Sequence, residues 1–199
     1  MKQEILIQIQ RLGGNIDNVK GNSLQEDLEL IEFKHPLYPN DYDDELYGTD
    51  EFYKNNKQLY LENKQVFYKN LVDHFFSDHD IPYGQAFFRN FLFTPFRQNS
   101  KDFGELDGLV EESEIRKVVK GTDLDFMCIC YSYGFPDQYF VCLTDPNQEN
   151  PTVYGTDHEV YFREIETEGT LEDFFKRFLT KHEFSKVVEH YIENIKTDK

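Results

Sequence analysis

The sequence is poor in basic residues, in cysteine and in long apolar runs, and each shortage excludes a class of protein. Lys and Arg number 21 against 38 Asp and Glu, so the formal net charge is −17. Because nucleic acids and anionic membranes are polyanions that attract Lys and Arg, we expect neither as a partner. Three cysteines in 199 residues do not form a disulfide framework. No run of about 18 apolar residues predicts a membrane span.

Sequence signals for secretion and for phosphate binding are also missing. Gln residues interrupt the apolar residues near the N-terminus, so no continuous apolar segment typical of a signal peptide follows it. With the low cysteine content, this predicts a cytoplasmic protein. The glycines match neither of the two common phosphate-binding patterns, and no G-x-S-x-G motif is present. We therefore expect a non-enzymatic protein without a cofactor or a metal.

Aromatic residues are abundant, with 19 Phe and 13 Tyr. Disordered chains are poor in aromatics, so this composition predicts a folded protein with an aromatic core and a strongly charged surface. A negative surface favours a basic protein or a cation as partner. The same acidity also serves solubility alone, which is the alternative explanation.

The order of predicted elements is helices, then antiparallel strands, then helices. Hydrophobic periodicity predicts helices over 3–12 and 54–76, and again from Thr170 to the C-terminus. Strands are predicted at 86–96, 126–133, 138–144, 152–154 and 160–162. This order predicts an α+β fold with a single mixed, mainly antiparallel sheet packed by N-terminal and C-terminal helices. We expect one domain over 1–199, with a helix-rich acidic part at 1–85 and a sheet-containing core plus C-terminal helices at 86–199.

Three groups of residues invite a chemical interpretation. Cys128, Cys130 and Cys142 lack the zinc-knuckle spacing and lie in apolar strands, which favours core cysteines over metal ligands. On a helix, His74 and His79 would lie about 140° apart, which favours capping at a helix end over a shared metal. For Asp157 and His158, a turn in which the aspartate bonds its own backbone is favoured over an acid/base couple, because no nucleophile is available beside them. A metal-dependent hydrolase that uses these His and Asp residues remains the alternative from another class of function.

The strongest concentration of charge lies between residues 26 and 51, which contain ten acids and the single base Lys34. The run lacks the glycine that a calcium loop of the EF-hand type requires, so it predicts a solvated loop, which could also dock a protein. We take exposed carboxylates in this run and near the 157 turn as candidates for binding a protein partner. They are Asp41, Asp43, Asp44, Glu45, Asp50, Glu51, Asp157 and Glu159.

Three segments between residues 131 and 179 carry a resemblance to a known family. They are Tyr-Gly-Phe-Pro-Asp-Gln-Tyr-Phe-Val-Cys-Leu followed by Asp145-Pro146, then Asn-Pro-Thr-Val-Tyr-Gly-Thr-Asp-His-Glu at 150–159, and Gly-Thr-Leu-Glu-Asp-Phe-Phe-Lys-Arg-Phe-Leu at 169–179. This part of the chain resembles the SUKH superfamily, the proteins related to the yeast Smi/Knr cell-wall-synthesis regulator. The resemblance implies a mixed sheet flanked by helices. It also implies an immunity protein, since many bacterial members are thought to neutralise a cognate toxin, often a nuclease.

Residue chemistry and resemblance lead to the same expectation about function. A nuclease is basic where it holds nucleic acid, so an acidic protein can approach and cover that surface. We therefore expect an immunity-type protein that occludes a basic toxin domain. The alternative within the same fold is a regulatory or scaffold module that binds a host protein.

Overall fold

The structure, a computed structural model, describes residues 1–40, 46–77 and 84–195. The helices are α1 (Gln3–Arg11), α2 (Leu24–Glu29), α3 (Thr49–Asn55), α4 (Lys57–Glu62), α5 (Lys64–Phe75), α6 (Glu112–Ile115), α7 (Leu171–Lys176) and α8 (Lys181–Ile195). The strands are β1 (Tyr38–Pro39), β2 (Ala86–Phe93), β3 (Phe126–Ser132), β4 (Gln138–Cys142), β5 (Thr152–Thr156), β6 (Glu166–Thr170) and β7 (Phe178–Leu179). Short 3-10 helices cover Leu46–Gly48 and Tyr161–Arg163.

The main sheet has five strands in the order β2-β3-β4-β5-β6, so each strand pairs with its neighbour in sequence. The strand pairs of this sheet are all antiparallel. Helices before and after these strands pack against them, which confirms the predicted α+β class.

A second, two-stranded sheet joins distant parts of the chain. β1 pairs antiparallel with β7, with Tyr38 opposite Leu179 and Pro39 opposite Phe178. The apolar spacing over 171–179 predicts a continuous helix, but α7 ends at Lys176 and the chain then extends into β7. This pairing ties the segment before α3 to the start of α8, so helices that are far apart in sequence meet in one layer.

Each face of the main sheet is covered by a different part of the chain. On one face, Met127, Ile129, Val141 and Val153 pack against α1, α2 and α7. On the other face, buried apolar residues of the sheet pack against the segment between β2 and β3 and against the 3-10 helix at 161–163. These include Phe126, Phe140 and Tyr154 from the sheet, with Leu106, Ile115, Val119 and Phe162 from its cover. Period-two alternation within the strands produces this separation.

A third cluster, the helical core, is built from aromatic residues of α4, α5, α8 and β1. The predicted helix over 54–76 is present as three helices that end or begin at Asn56 and Asn63. The Asn63 side chain accepts a hydrogen bond from the Val66 amide, so it caps a new helix instead of continuing the old one. Tyr60, Phe67 and Phe75 still reach the helical core from the separate segments.

Candidate functional site

Two turns meet at one end of the main sheet. One is the turn between β3 and β4, which contains Asp137, and the other is the segment after β5, which contains Asp157. The β4–β5 register places Gln138 opposite Thr156, and the Asp137 amide donates to the Thr156 carbonyl at 3.2 Å. Asp137, which precedes Gln138, and Asp157, which follows Thr156, therefore lie side by side. We call this group the tip surface; it consists of Tyr133, Phe135, Asp137, Asp157, His158 and Glu159.

His158 is fastened to Asp137 by two hydrogen bonds. Its main-chain amide donates to Asp137 Oδ1 at 3.1 Å, and its Nδ1 lies 2.5 Å from Asp137 Oδ2. Asp157 Oδ1 lies 3.7 Å from the same ring nitrogen. The imidazole is 66% exposed, whereas the two aspartates are largely covered. His158 thus links the two turns through side chains that are 21 residues apart in sequence.

Asp157 and Glu159 are ordered by a turn of their own. The Asp157 side chain accepts the Glu159 amide at 2.9 Å, and the Asp157 carbonyl accepts the Tyr161 amide at 2.5 Å. This turn leads into a 3-10 helix at Tyr161–Arg163, so the strand predicted at 160–162 is wrong. Carboxylates that bond nearby main-chain amides are typical of such turns and leave the Glu159 side chain exposed.

Two aromatic side chains complete the tip surface. Tyr133 is 49% exposed and Phe135 is 66% exposed, and both belong to the turn between β3 and β4. Ser132 fixes the base of this turn, because its hydroxyl donates to the Pro136 carbonyl at 2.9 Å and its amide donates to the Asp137 carbonyl at 2.7 Å. The two rings at the end of this hydrogen-bonded turn therefore face solvent instead of the core.

The pKa of His158 is raised above its usual 6.5, first by the hydrogen bond to Asp137 and then by the negative charges of Asp137, Asp157 and Glu159. A raised pKa means that the folded state binds the proton more tightly than the unfolded state does. The stabilising contribution of His158 is therefore fully present below about pH 6.5 and is lost as the pH rises through the higher, folded value.

The replacement His158→Gln tests this pH dependence. We expect the variant to be less stable than the natural protein at about pH 5.5 and nearly equal to it at about pH 8.5, because the charged pair exists only at the lower pH. Urea unfolding of both proteins at the two pH values measures the difference. An equal loss at both values would contradict a charged His158–Asp137 pair.

The tip surface also contains the ligand types that divalent cations prefer. Within the described ranges, oxygen and nitrogen atoms of Asp137, Asp157 and His158 lie within 4.8 Å of one another. One cation could contact all three. The Asp137 carboxylate, however, is already engaged by the main-chain amide and the Nδ1 atom of His158, so the arrangement is held together by its own hydrogen bonds.

The structure divides the predicted partner-binding residues between two places. Asp157 and Glu159 lie together on the tip surface, as described above. Asp50 and Glu51 lie in the first turn of α3, where Asp50 pairs with Lys54 at 2.6 Å. The remaining four, Asp41, Asp43, Asp44 and Glu45, lie outside the described residues. The acidic run at 26–51 does not lie wholly on the surface, because the Asp27 side chain is only 1% exposed and accepts a hydrogen bond from the Gly21 amide.

Sequence reasoning missed Asp137 as a site residue. It follows the turn Gly-Phe-Pro, where an aspartate is expected for conformational reasons alone. One signal was available: Asp137 directly precedes β4, and Asp157 directly follows β5. Because these neighbouring strands pair antiparallel, the two residues lie at the same end of the sheet. The turn favoured for Asp157 is confirmed, since its side chain accepts the Glu159 amide. The His158 ring nitrogen lies 2.5 Å from an Asp137 carboxylate oxygen and 3.7 Å from one of Asp157, so its nearer carboxylate belongs to Asp137.

The other chemical candidates have separate locations. His74 and Glu51 line a cavity of about 370 Å³ together with Phe52 and Asn56, and His79 lies outside the described residues. The cysteines are free and buried, as predicted, and burial raises the pKa of the Cys128 thiol to about 12. A thiol with this pKa is a weak nucleophile at neutral pH.

Comparisons with known proteins give no relative for this chain. Neither a scan of protein-family models nor searches of curated proteins and of solved structures find a match. In residues 1–40, 46–77 and 84–195, none of the helices has the length and apolar character needed to cross a bilayer.

Proposed function

We propose that this chain is a cytoplasmic, non-enzymatic protein-binding module of the immunity type, which neutralises a basic toxin domain by covering it with the tip surface. The observation that carries the proposal is the combination of exposed aromatic rings with ordered carboxylates at one end of the sheet. Tyr133 and Phe135 supply the rings. Asp137, Asp157 and Glu159 supply the carboxylates, within two turns joined by hydrogen bonds.

Exposed aromatic side chains favour a protein partner. A soluble protein gains nothing from leaving large apolar side chains in water, and such side chains often mark contact surfaces. Tyrosine is also enriched among the residues that carry most of the binding energy in interfaces. Because the turn that bears Tyr133 and Phe135 is fixed by the bonds of Ser132, little conformational freedom would be lost on binding.

The charge of the chain favours a basic partner. A net charge of −17 attracts a positively charged protein over distances of about one Debye length and raises the rate of encounter. A nuclease is positive where it binds nucleic acid, so the acidic tip surface is complementary to it. Nucleic acid and membranes are not expected partners for the same reason.

The SUKH resemblance supports the same proposal from the sequence. Two of the segments on which it rests, those around 133–143 and 150–159, contain every residue of the tip surface. We propose that the chain is SUKH-like and that these segments serve binding as well as folding.

The products of the genes that flank this chain's gene provide the test. Each is expressed in a bacterial host with and without this chain. We expect one product to arrest growth, this chain to restore growth, and the two proteins to purify as a complex whose association slows as salt rises. If no flanking product is both toxic and bound, the immunity proposal is wrong. A product that is bound but harmless would indicate the regulatory or scaffold role instead.

A charge-neutralised tip makes the test specific. The triple variant Asp137→Asn, Asp157→Asn and Glu159→Gln should bind the toxin at least about tenfold more weakly in a calorimetric titration, because it removes three charges at the contact. The matched control removes three exposed carboxylates elsewhere, by Asp17→Asn, Glu111→Gln and Glu149→Gln. Equal weakening in both variants would show that only total charge matters.

A further inference from the structure

An aromatic platform adjoins the tip surface on the β2–β3 pair. We define the platform as Phe87, Arg89, Tyr131 and Tyr133. Phe87 and Tyr131 are opposite each other in the strand register and their rings stack at 4.9 Å between centroids. The Tyr133 ring meets both edge-on, at 6.1 Å from Phe87 and 6.2 Å from Tyr131. The three rings differ in exposure: Phe87 is buried at 8%, Tyr131 is half-buried and Tyr133 is 49% exposed. Tyr133 therefore offers the accessible ring of the platform.

Arg89 lies over this group of rings. Its guanidinium carbon is 4.5 Å from the Tyr131 centroid and 5.7 Å from the Phe87 centroid, which are cation–π distances. The guanidinium also donates to the Phe88 carbonyl at 3.1 Å. The side chain is therefore held in place although the residue is exposed.

Within residues 1–40, 46–77 and 84–195, Arg89 and Arg163 are the two arginines that form no ion pair with a carboxylate. Among the described residues, four other arginines form ion pairs: Arg11, Arg97, Arg116 and Arg177. Arg89 forms no such pair within the described ranges. A fixed and exposed guanidinium is ready to accept a carboxylate from outside, because its orientation is already determined by the rings.

The platform thus lies between charges of opposite sign. Arg89 is on the β2 side, and the carboxylates of the tip surface lie beyond the turn between β3 and β4. Ser132, which stands between Tyr131 and Tyr133 in sequence, donates its amide to the Asp137 carbonyl at 2.7 Å. This bond places the aromatic rings next to the acidic end, while the Arg89 guanidinium lies over the Tyr131 and Phe87 rings.

We propose that the platform binds a loop of the basic partner. This loop contains an apolar residue that lies between a Lys or Arg on one side and an Asp or Glu on the other. The apolar side chain would cover the exposed Tyr133 ring, the Lys or Arg would face the carboxylates of the tip surface, and the Asp or Glu would pair with Arg89. The inference rests on the proposed protein-binding function and adds the chemistry of the partner's contact segment. Charge complementarity at both ends fixes the direction in which the loop lies.

A library of phage-displayed, disulfide-closed peptides tests the platform without knowledge of the partner. The library is selected on the full chain, and phage that bind the Arg89→Glu, Tyr133→Ser double variant are removed. We expect the recovered peptides to share an apolar residue between a basic and an acidic residue. Failure to recover peptides, or recovery of peptides without this charge order, would overturn the proposal.

Single variants then assign the contacts of a recovered peptide. Arg89→Glu and Tyr133→Ser should each weaken its binding at least about tenfold, because both change residues of the interface centre. Two controls match them in chemistry but lie elsewhere: Lys20→Glu reverses an exposed cation, and Phe103→Ser removes a ring that is 54% exposed. These should change affinity by less than about twofold. Equal effects of the test and control variants on affinity would contradict the proposal that the peptide binds at the platform.

The same variants separate this inference from the proposed function. If a flanking toxin binds the natural protein and binds Arg89→Glu equally well, the platform is wrong while the immunity function stands, because Arg89 belongs to the platform and not to the tip surface. If the peptides behave as expected but no flanking product is toxic and bound, the platform stands and the immunity function is wrong. Circular dichroism of each variant confirms that the fold is intact before binding is compared.

Discussion

Replacing Phe184 by Ala should lower the free energy of unfolding by about 3–5 kcal/mol. Phe184 is fully buried in the helical core and its ring contacts four others. The centroid of its ring is 4.7 Å from Tyr38, 5.2 Å from Phe76, 5.6 Å from Phe75 and 5.8 Å from Tyr47. Truncation leaves a cavity where α8 packs against β1 and α5, in the middle of the helical core.

Urea unfolding followed by circular dichroism measures this loss. The control is Phe103→Ala, which removes the same side chain from a position that is 54% exposed and should cost well under about 1 kcal/mol. A loss below about 1 kcal/mol for Phe184→Ala would mean that α8 does not pack on the helical core as described.

Replacing Gly155 by Ala should disturb the tip surface and cost about 1–3 kcal/mol in stability. A Cβ atom on Gly155 would lie 2.5 Å from Pro136 Cγ and 2.9 Å from Pro136 Cβ. The proline ring is rigid, so relief of the contact requires the turn between β3 and β4 to move. Asp137 follows Pro136 directly, and its bonds to His158 would lengthen. We therefore expect the pKa of His158 to fall back toward 6.5 in the variant.

Two measurements check the Gly155 prediction: urea unfolding gives the stability, and an NMR titration of the imidazole gives the pKa of His158. Gly134→Ala is the matched control in the same turn, since the nearest atom to its added Cβ is the Ser132 hydroxyl at 3.9 Å. An unchanged His158 pKa in Gly155→Ala would show that Pro136 does not position Asp137.

Local signals in the sequence determined the element types and many of their ends. The α+β class followed from helical and strand periodicities, and Thr170, where the C-terminal helices were predicted to begin, is the N-cap of α7. The burial of the three cysteines was also predictable, because apolar strands with alternating contacts place them inside. Such signals depend on residues within a few positions of one another, so they can be recognised without knowledge of the fold.

The candidate site was only half determined by the sequence. Asp157 and Glu159 were identified from their charge and their turn, whereas Asp137 was missed and Asp50 and Glu51 prove to lie on α3. Charge alone does not locate a contact surface, because exposed acids are spread over the whole chain.

The tertiary structure alone decided how distant segments meet. Strand register brings Asp137 to His158, and the β1–β7 pair carries α8 to the aromatic residues of α5. It also stacks Arg89 on rings from two strands. Register and packing are collective results of many weak contacts, in which a shift of one residue reverses the face of every side chain. The sequence by itself therefore determined the acidity and the order of most helices and strands, while the tip surface and the platform exist only through the pairing of strands.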